Sequence, residues 1–178
     1  MPRVYDNIDK ELLPALRASL QVSQRADFCV GYFNLRGWRE IDDLVNNYQG
    51  TDTSCCRLLV GMQRLAQDEL RQSLSLETSS IGLDSQQVDR LRRKAAEEFS
   101  QQLTYGAPNA TDEVALRRLA KQLRERKVVV RLFLQFPLHA KLYLLHRQDP
   151  QNPMIGYVGS SNLTFSGLFK QGDRKSVV

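Results

Sequence analysis

Both histidines of this 178-residue chain lie within residues 138–168, beside other side chains that could bind or transfer a phosphate. His139 precedes Lys141 by two residues, and a Gly-Ser-Ser-Asn sequence containing Ser160 and Asn162 follows. An imidazole can attack phosphorus and form a covalent intermediate. A lysine and an amide can hold the non-bridging oxygens, whose charge grows in the transition state. These residue types predict a phosphodiester site that requires no metal and no cofactor.

The segments that carry these residues are predicted to bring them together. The sequence "HAKLYLLH" is rich in β-formers and predicts a strand, on which alternate side chains share a face. His139 and Lys141 then point to one side of the strand and His146 to the other. A short turn makes "MIGYVGSS" the neighbouring strand, so the Gly-Ser-Ser-Asn sequence can approach the end of the first strand that carries His139.

The rest of the chain alternates between strand-like and helical patterns, and it predicts one α/β domain over residues 1–178. Helices are expected at 6–24, 38–48, 85–104 and from Thr111, and strands at 26–33, 55–61, 127–134, 139–146 and 154–161. Thr111 is the expected N-cap of the last helix. A helical insertion at about 64–126 interrupts the pattern, and the whole predicts a mixed β-sheet flanked by helices.

Composition limits the environment in which such a domain works. No apolar run approaches the roughly 20 residues that cross a bilayer, so no membrane partner is expected. Cys29, Cys55 and Cys56 have no histidine near them in sequence, which favours neither a disulfide framework nor a zinc site. Both observations are typical of a cytoplasmic protein.

The net charge of +5 is concentrated in the second half of the chain. Residues 84–178 carry 16 lysines and arginines against 9 aspartates and glutamates, whereas residues 1–83 carry 9 against 11. A basic half favours an anionic partner such as DNA or RNA. Solvated faces of basic helices would give the same count, and charge alone leaves both interpretations open.

The arrangement "HAKLYLLH…GSSN" resembles the HKD signature of the phospholipase D superfamily, which is written His-x-Lys-x4-Asp followed by Gly-Ser-x-Asn. The longer sequence "GSSNLTFSGL", with "RADFCVGYFNLRGW" and "RLLVG", is similar to one branch of that superfamily. That branch consists of phospholipase D-like nuclease domains at the N-terminus of bacterial DEAD/DEAH-type helicases. The resemblance implies a nuclease-like fold and a metal-independent phosphodiesterase.

The resemblance also implies a role for individual residues. His139 matches the nucleophile of the motif, and Lys141, Ser160 and Asn162 match its phosphate ligands. Many members have an acidic residue about eleven positions after the asparagine that orients the nucleophilic imidazole, and Asp173 occupies that position.

The chain departs from the family pattern in two ways. His146 stands where the motif has aspartate, and Asp149 in the following loop is poorly placed to replace it. The superfamily mechanism also requires two motifs, whereas this chain has one. Single-motif members form homodimers, so we expect a dimer in which two copies of His139 face each other across a two-fold axis.

Two functions therefore stand beside each other. The first is a nuclease that cleaves nucleic acid through His139, and the alternative is a catalytically degenerate phosphate-binding module that positions DNA or RNA for an attached helicase. A lipid phosphodiesterase is a third, less favoured option. We expect the chain to be the N-terminal part of a longer protein, or a natural truncation, with any helicase motor outside it, since it contains no Gly-Lys-Ser/Thr phosphate loop.

Overall fold

A computed structural model of the protein describes residue 5 and residues 11–61, 85–104, 110–133 and 138–169. In chain order its elements are α1 (Leu12–Gln21), β1 (Ser23–Val30), α2 (Leu35–Arg39), α3 (Asp42–Val45), β2 (Cys56–Gly61), α4 (Ser85–Leu103), α5 (Ala110–Arg124), β3 (Val128–Phe133), β4 (Lys141–Arg147), β5 (Met154–Val158) and α6 (Phe165–Phe169). The strands form a sheet in the order β3-β2-β1-β4-β5. Strands β1, β2 and β3 are parallel, and β4 runs antiparallel to both β1 and β5. The predicted α/β class, with a mixed sheet flanked by helices, is confirmed.

Several predicted boundaries differ from those in the structure. Helix α2 begins before Gly37 rather than after it, because the Asn34 side chain caps it by accepting the Gly37 N–H at 2.9 Å. Helix α5 already includes Thr111, so the predicted N-cap is wrong. Strand β4 begins at Lys141, which leaves His139 just outside it. Residues 6–10 of the predicted first helix, and 64–84 and 105–109 of the predicted insertion, lie outside the described residues.

The hydrophobic core lies on one face of the sheet. Alternate residues of the strands point toward the helices on this side, and Phe28, Leu58 and Tyr143 are among those that are buried. Trp38 is fully buried, and its indole N–H donates to Gln122 of α5 at 3.1 Å. In the described part of the chain, no helix combines the length and apolar character needed to cross a membrane.

An ionic network occupies the opposite face of the sheet, around Asp27 of β1. Arg25 and Arg57 each donate to its carboxylate, with shortest distances of 2.6 and 2.5 Å, and His146 Nε2 lies 2.9 Å from it. Burial alone would raise the pKa of Asp27, but the hydrogen bonds from Arg57, Arg25 and His146 together lower it well below its usual value. Asp27 is therefore ionised in the folded protein at neutral pH.

Loss of the Asp27 charge should destabilise the protein in a pH-dependent way. A lowered folded pKa stabilises the fold above the unfolded pKa of about 3.9, and this contribution is lost as the pH falls toward the folded pKa. Asp27→Asn should reduce the free energy of unfolding by about 1–3 kcal/mol at pH 7. Urea unfolding should show a smaller deficit below about pH 4. The exposed Asp52→Asn is the control and should change little; an Asp27→Asn deficit independent of pH would contradict an ionic origin.

Candidate functional site

The pairing of β4 with β5 brings the predicted site residues to one edge of the sheet. Leu142 lies opposite Val158, and the Gly159 N–H continues this pairing by donating to the Lys141 carbonyl at 3.2 Å. Lys141 also lies opposite Val30, the last residue of β1. The edge therefore coincides with the carboxyl ends of the parallel strands, where ligand sites of open α/β sheets commonly lie.

All four residues of the proposed phosphate site are described at this edge, and they differ in exposure. His139 and Ser160 are exposed, whereas Lys141 and Asn162 are partly buried. The Lys141 ammonium donates to the His139 carbonyl oxygen at 2.7 Å, which holds the lysine head beside the backbone of the histidine. An ammonium has three N–H groups, so two remain for another acceptor. Strand β5 ends at Val158, so a loop and not strand alternation places Ser160 and Asn162.

Leu138, directly before His139, lies against the ends of β1 and β2 at very short distance. A methyl group at Gly31 would overlap the Leu138 carbonyl oxygen. A methyl group at Gly61 would lie 2.7 Å from the Gly31 oxygen and 3.0 Å from the Leu138 Cβ. These two strand ends therefore need glycine, since any side chain would push away the backbone that carries His139.

Hydrogen bonds from elsewhere in the sheet fix the Gly-Ser-Ser-Asn loop. The Tyr32 backbone N–H donates to Asn162 Oδ1 at 3.0 Å, so the amide nitrogen of Asn162 remains as its donor. The Tyr143 hydroxyl, which belongs to a buried side chain, donates to the Ser161 carbonyl at 2.7 Å. Burial raises the pKa of Tyr143 well above its usual value, so it keeps the proton that it donates.

The residues after Asn162 anchor the loop to α2. The Asn34 N–H donates to the Leu163 carbonyl at 3.2 Å, and Leu163 is fully buried. A methyl group at Gly37 would lie 2.5 Å from the Thr164 Cα, so α2 rests directly on the loop backbone. Thr164 then accepts the Gly167 N–H at 3.0 Å and so caps α6. The loop is held on both sides, and Ser160 within it stays exposed.

His146 and Asp149 do not join this edge. His146 lies five positions after Lys141 on β4, about 17 Å away by strand rise, and bonds Asp27. Asp149 accepts two backbone N–H groups of the β4–β5 turn. Asp173 lies outside the described residues. Within the ranges that the structure describes, no three His, Cys, Asp or Glu side chains are grouped as metal ligands would be.

Sequence reasoning missed the groups that hold the site residues in place. Gly61 was recognised only as the boundary of a strand, and Gly31 and Tyr143 were given no role. The sequence does contain a signal for these glycines, because a Val-Gly pair stands at the end of each strand. Strand β1 ends at Val30, directly before Gly31, and β2 ends at Gly61 itself. Two neighbouring strands that stop at glycine indicate that another part of the chain crosses them closely. The backbone N–H of Tyr32, which donates to Asn162, gives no such sequence signal, because every residue except proline has this group.

Comparison with known proteins adds no relative to this picture. No protein-family model matches the chain, and no curated protein matches it in sequence. A function must therefore be inferred from the site itself and from the motif resemblance.

Gly31→Ala should disturb both the fold and the site. Its methyl group would displace the Leu138 carbonyl and with it His139, so we expect a loss of about 1–3 kcal/mol in the free energy of unfolding. Gly159→Ala is the matched control, because nothing lies within 4 Å of its added methyl group. Urea unfolding of both variants measures the difference. Equal stabilities would show that the crossing at Gly31 tolerates a side chain.

Proposed function

We propose that the protein is a phospholipase D-like domain that cleaves phosphodiesters of nucleic acid through His139. The convergence of His139 and Lys141 with the loop that carries Ser160 and Asn162 supports this proposal most strongly. These four residues are the ones that the His-x-Lys and Gly-Ser-x-Asn elements of the superfamily would require. A mixed sheet with the site at its strand ends is compatible with that fold.

In this proposal the loop and the lysine form the phosphate-binding part of the site. Lys141 supplies a positive charge, the exposed Ser160 supplies a hydroxyl, and Asn162 supplies the amide nitrogen that its contact with Tyr32 leaves available. Charge-assisted hydrogen bonds of this kind are stronger than neutral ones. They would stabilise the non-bridging oxygens most where their charge increases, in the transition state.

The reaction would proceed in two displacements. A His139 ring nitrogen attacks phosphorus, the bond from phosphorus to the leaving oxygen breaks, and a second imidazole protonates that oxygen. Water then attacks the phosphohistidine, the phosphorus–nitrogen bond breaks, and the second imidazole takes up the proton of the water. Asp173 would orient the attacking ring, as the resemblance implies.

A second copy of the chain would supply the second imidazole. His146 is the other histidine of the chain, and it bonds Asp27 far from Lys141. The proposal therefore includes a homodimer with the site on its two-fold axis, where His139 and the partner subunit's His139 face each other. One imidazole would attack while the other donates its proton.

Nucleic acid is favoured over lipid as the substrate because the charge of the domain is basic. Arg90, Arg92 and Arg93 of α4 and Arg124 of α5 are exposed and could follow a phosphate backbone. The helicase-associated branch that the chain resembles supports the same choice. We further propose a cytoplasmic protein whose full-length chain carries a helicase motor.

One observation favours the alternative, a phosphate-binding module without catalysis. The acidic position of the motif holds His146, so the family pattern is incomplete. In the structure, however, His146 is hydrogen-bonded to the carboxylate of Asp27 on the neighbouring strand β1. This contact lies toward the other end of β4 from His139. The substitution therefore changes the distant end of β4 and leaves the candidate site residues in place, which is why the enzyme is preferred.

His139→Ala should abolish metal-independent cleavage of DNA or RNA while leaving binding nearly unchanged. Neutral imidazole adds little to phosphate affinity, but no other residue at this edge replaces an attacking ring nitrogen. Lys141→Ala should weaken binding as well and reduce the salt dependence by about one counterion. Cleavage of labelled oligonucleotides, with and without a chelator, and binding at several salt concentrations measure these effects.

The controls for this experiment separate the two functions. His146→Gln leaves the site untouched and should retain cleavage. Specific activity of the wild type should fall on dilution as the dimer dissociates. Binding without cleavage in the wild type would establish the module, and cleavage that survives in His139→Ala or disappears with a chelator would exclude the histidine mechanism.

Asn162→Asp tests the phosphate pocket without removing a structural contact. The new carboxylate still accepts the Tyr32 N–H, so stability should change by less than about 1 kcal/mol. Binding of inorganic phosphate should fall about tenfold or more, because a negative charge replaces the donor. Calorimetric titration measures it. Asn162→Ala, which also loses the acceptor, should instead lose stability, and phosphate binding by Asn162→Asp equal to wild type would contradict the pocket.

A further inference from the structure

The sheet has a second face, opposite the core, which we call the open face. It contains a shallow groove of about 260 Å³, and every residue that lines the groove belongs to one of the strands β1–β4. Five apolar side chains contribute to it: Cys29, Leu59, Val129, Leu142 and Leu144. All five are partly buried. The groove is thus a continuous apolar surface across four strands.

Parallel sheets are normally covered by helices on both faces. Here the buried residues of α1, α2, α3 and α5 share one core cluster with the strand residues that point away from the open face. Within the described residues the groove therefore faces outward, as the purely strand-built lining shows. The layer that fits a flat apolar sheet surface is an amphipathic helix, which lays its apolar stripe along the strands.

The charges on the open face select the kind of helix. Arg57 and Arg131 border the groove, and the one carboxylate among its lining residues, Asp27, is already bonded by Arg25 and Arg57. Arg131 is exposed and forms no ion pair with another described residue. The face has a net positive charge, so a second copy of it would place arginine against arginine. Carboxylates beside the apolar stripe would complement it.

We propose that the open face is a docking surface for an amphipathic helix of a partner protein that carries acidic side chains beside its leucine-like stripe. This surface is on the other side of the sheet from Tyr143 and the core, and docking there does not require the nuclease activity. Apolar contact with Leu59, Leu142 and Leu144 would provide affinity, and Arg57 and Arg131 would provide the preference for carboxylates.

The three cysteines of the chain offer a direct test of whether the face is open. Cys29 lies in the groove and is partly exposed, whereas Cys55 and Cys56 are buried. Burial raises the pKa of all three thiols, so exposure of the sulfur and not its ionisation distinguishes them. N-ethylmaleimide at mildly alkaline pH should therefore label Cys29 first. Mass spectrometry of the native protein identifies the labelled residue. Labelling of Cys29 as slow as that of Cys55 and Cys56 would mean that the face is already covered, and would overturn the proposal.

Binding of a designed helix tests the partner chemistry. The probe is an 18-residue peptide with leucines at helical spacing flanked by glutamates, compared with the same peptide carrying lysines. The glutamate peptide should bind and slow Cys29 labelling about tenfold, and the lysine peptide should do neither. Arg131→Glu should weaken the glutamate peptide about five- to tenfold, which corresponds to about 1–1.4 kcal/mol, and should allow the lysine peptide to bind.

Arg124→Glu is the matched control, because it changes net charge equally but lies on α5, away from the groove. It should leave both affinities unchanged. Equal binding of the two peptides, or equal loss in Arg131→Glu and Arg124→Glu, would show that the open face does not select acidic partners, and would overturn the proposal.

Discussion

The structure depends on a close backbone contact at the carboxyl ends of two parallel strands. Leu138 packs directly against Gly31 and Gly61 at these strand ends. The absence of a Cβ at both glycines allows this close approach. From this contact the chain enters β4, which lies between the central strand β1 and the edge strand β5. The same contact therefore also fixes the position of the backbone that leads into the candidate site residues His139 and Lys141. A larger residue at either glycine would alter both.

The two ends of β4 have different physical characters. At one end, backbone groups and a buried tyrosine hydroxyl hold a loop whose polar side chains remain available. At the other end, His146 is taken up in an ionic network in which the charged groups satisfy one another. Polar groups that are bonded to each other stabilise a fold, whereas polar groups held in place but left exposed can bind a ligand. This contrast is the reason why we propose a ligand site at the Lys141 end.

Much of this arrangement could be predicted from local sequence. All five strands were recognised because their apolar and β-branched runs are short and bounded by turn residues, and the pairing of β4 with β5 followed from the short turn between them. The helix at 85–104 was also recognised. Contacts between distant segments were not predictable in this way. The Tyr32 amide, the Gly31 crossing and the Asp27–His146 pair each join parts of the chain that no local pattern relates.

The position of β4 also determines when the fold can be completed. Asp27 and His146 are 119 residues apart, yet their strands are adjacent at the centre of the sheet. During synthesis β1 therefore keeps a free edge until β4 has been made, and such edges invite pairing with other chains. High contact order of this kind slows folding, since the cost of closing a long loop must be met before the contacts form. Arg25 and Asp27 of β1 lie on that temporary edge, where charge discourages association before β4 arrives.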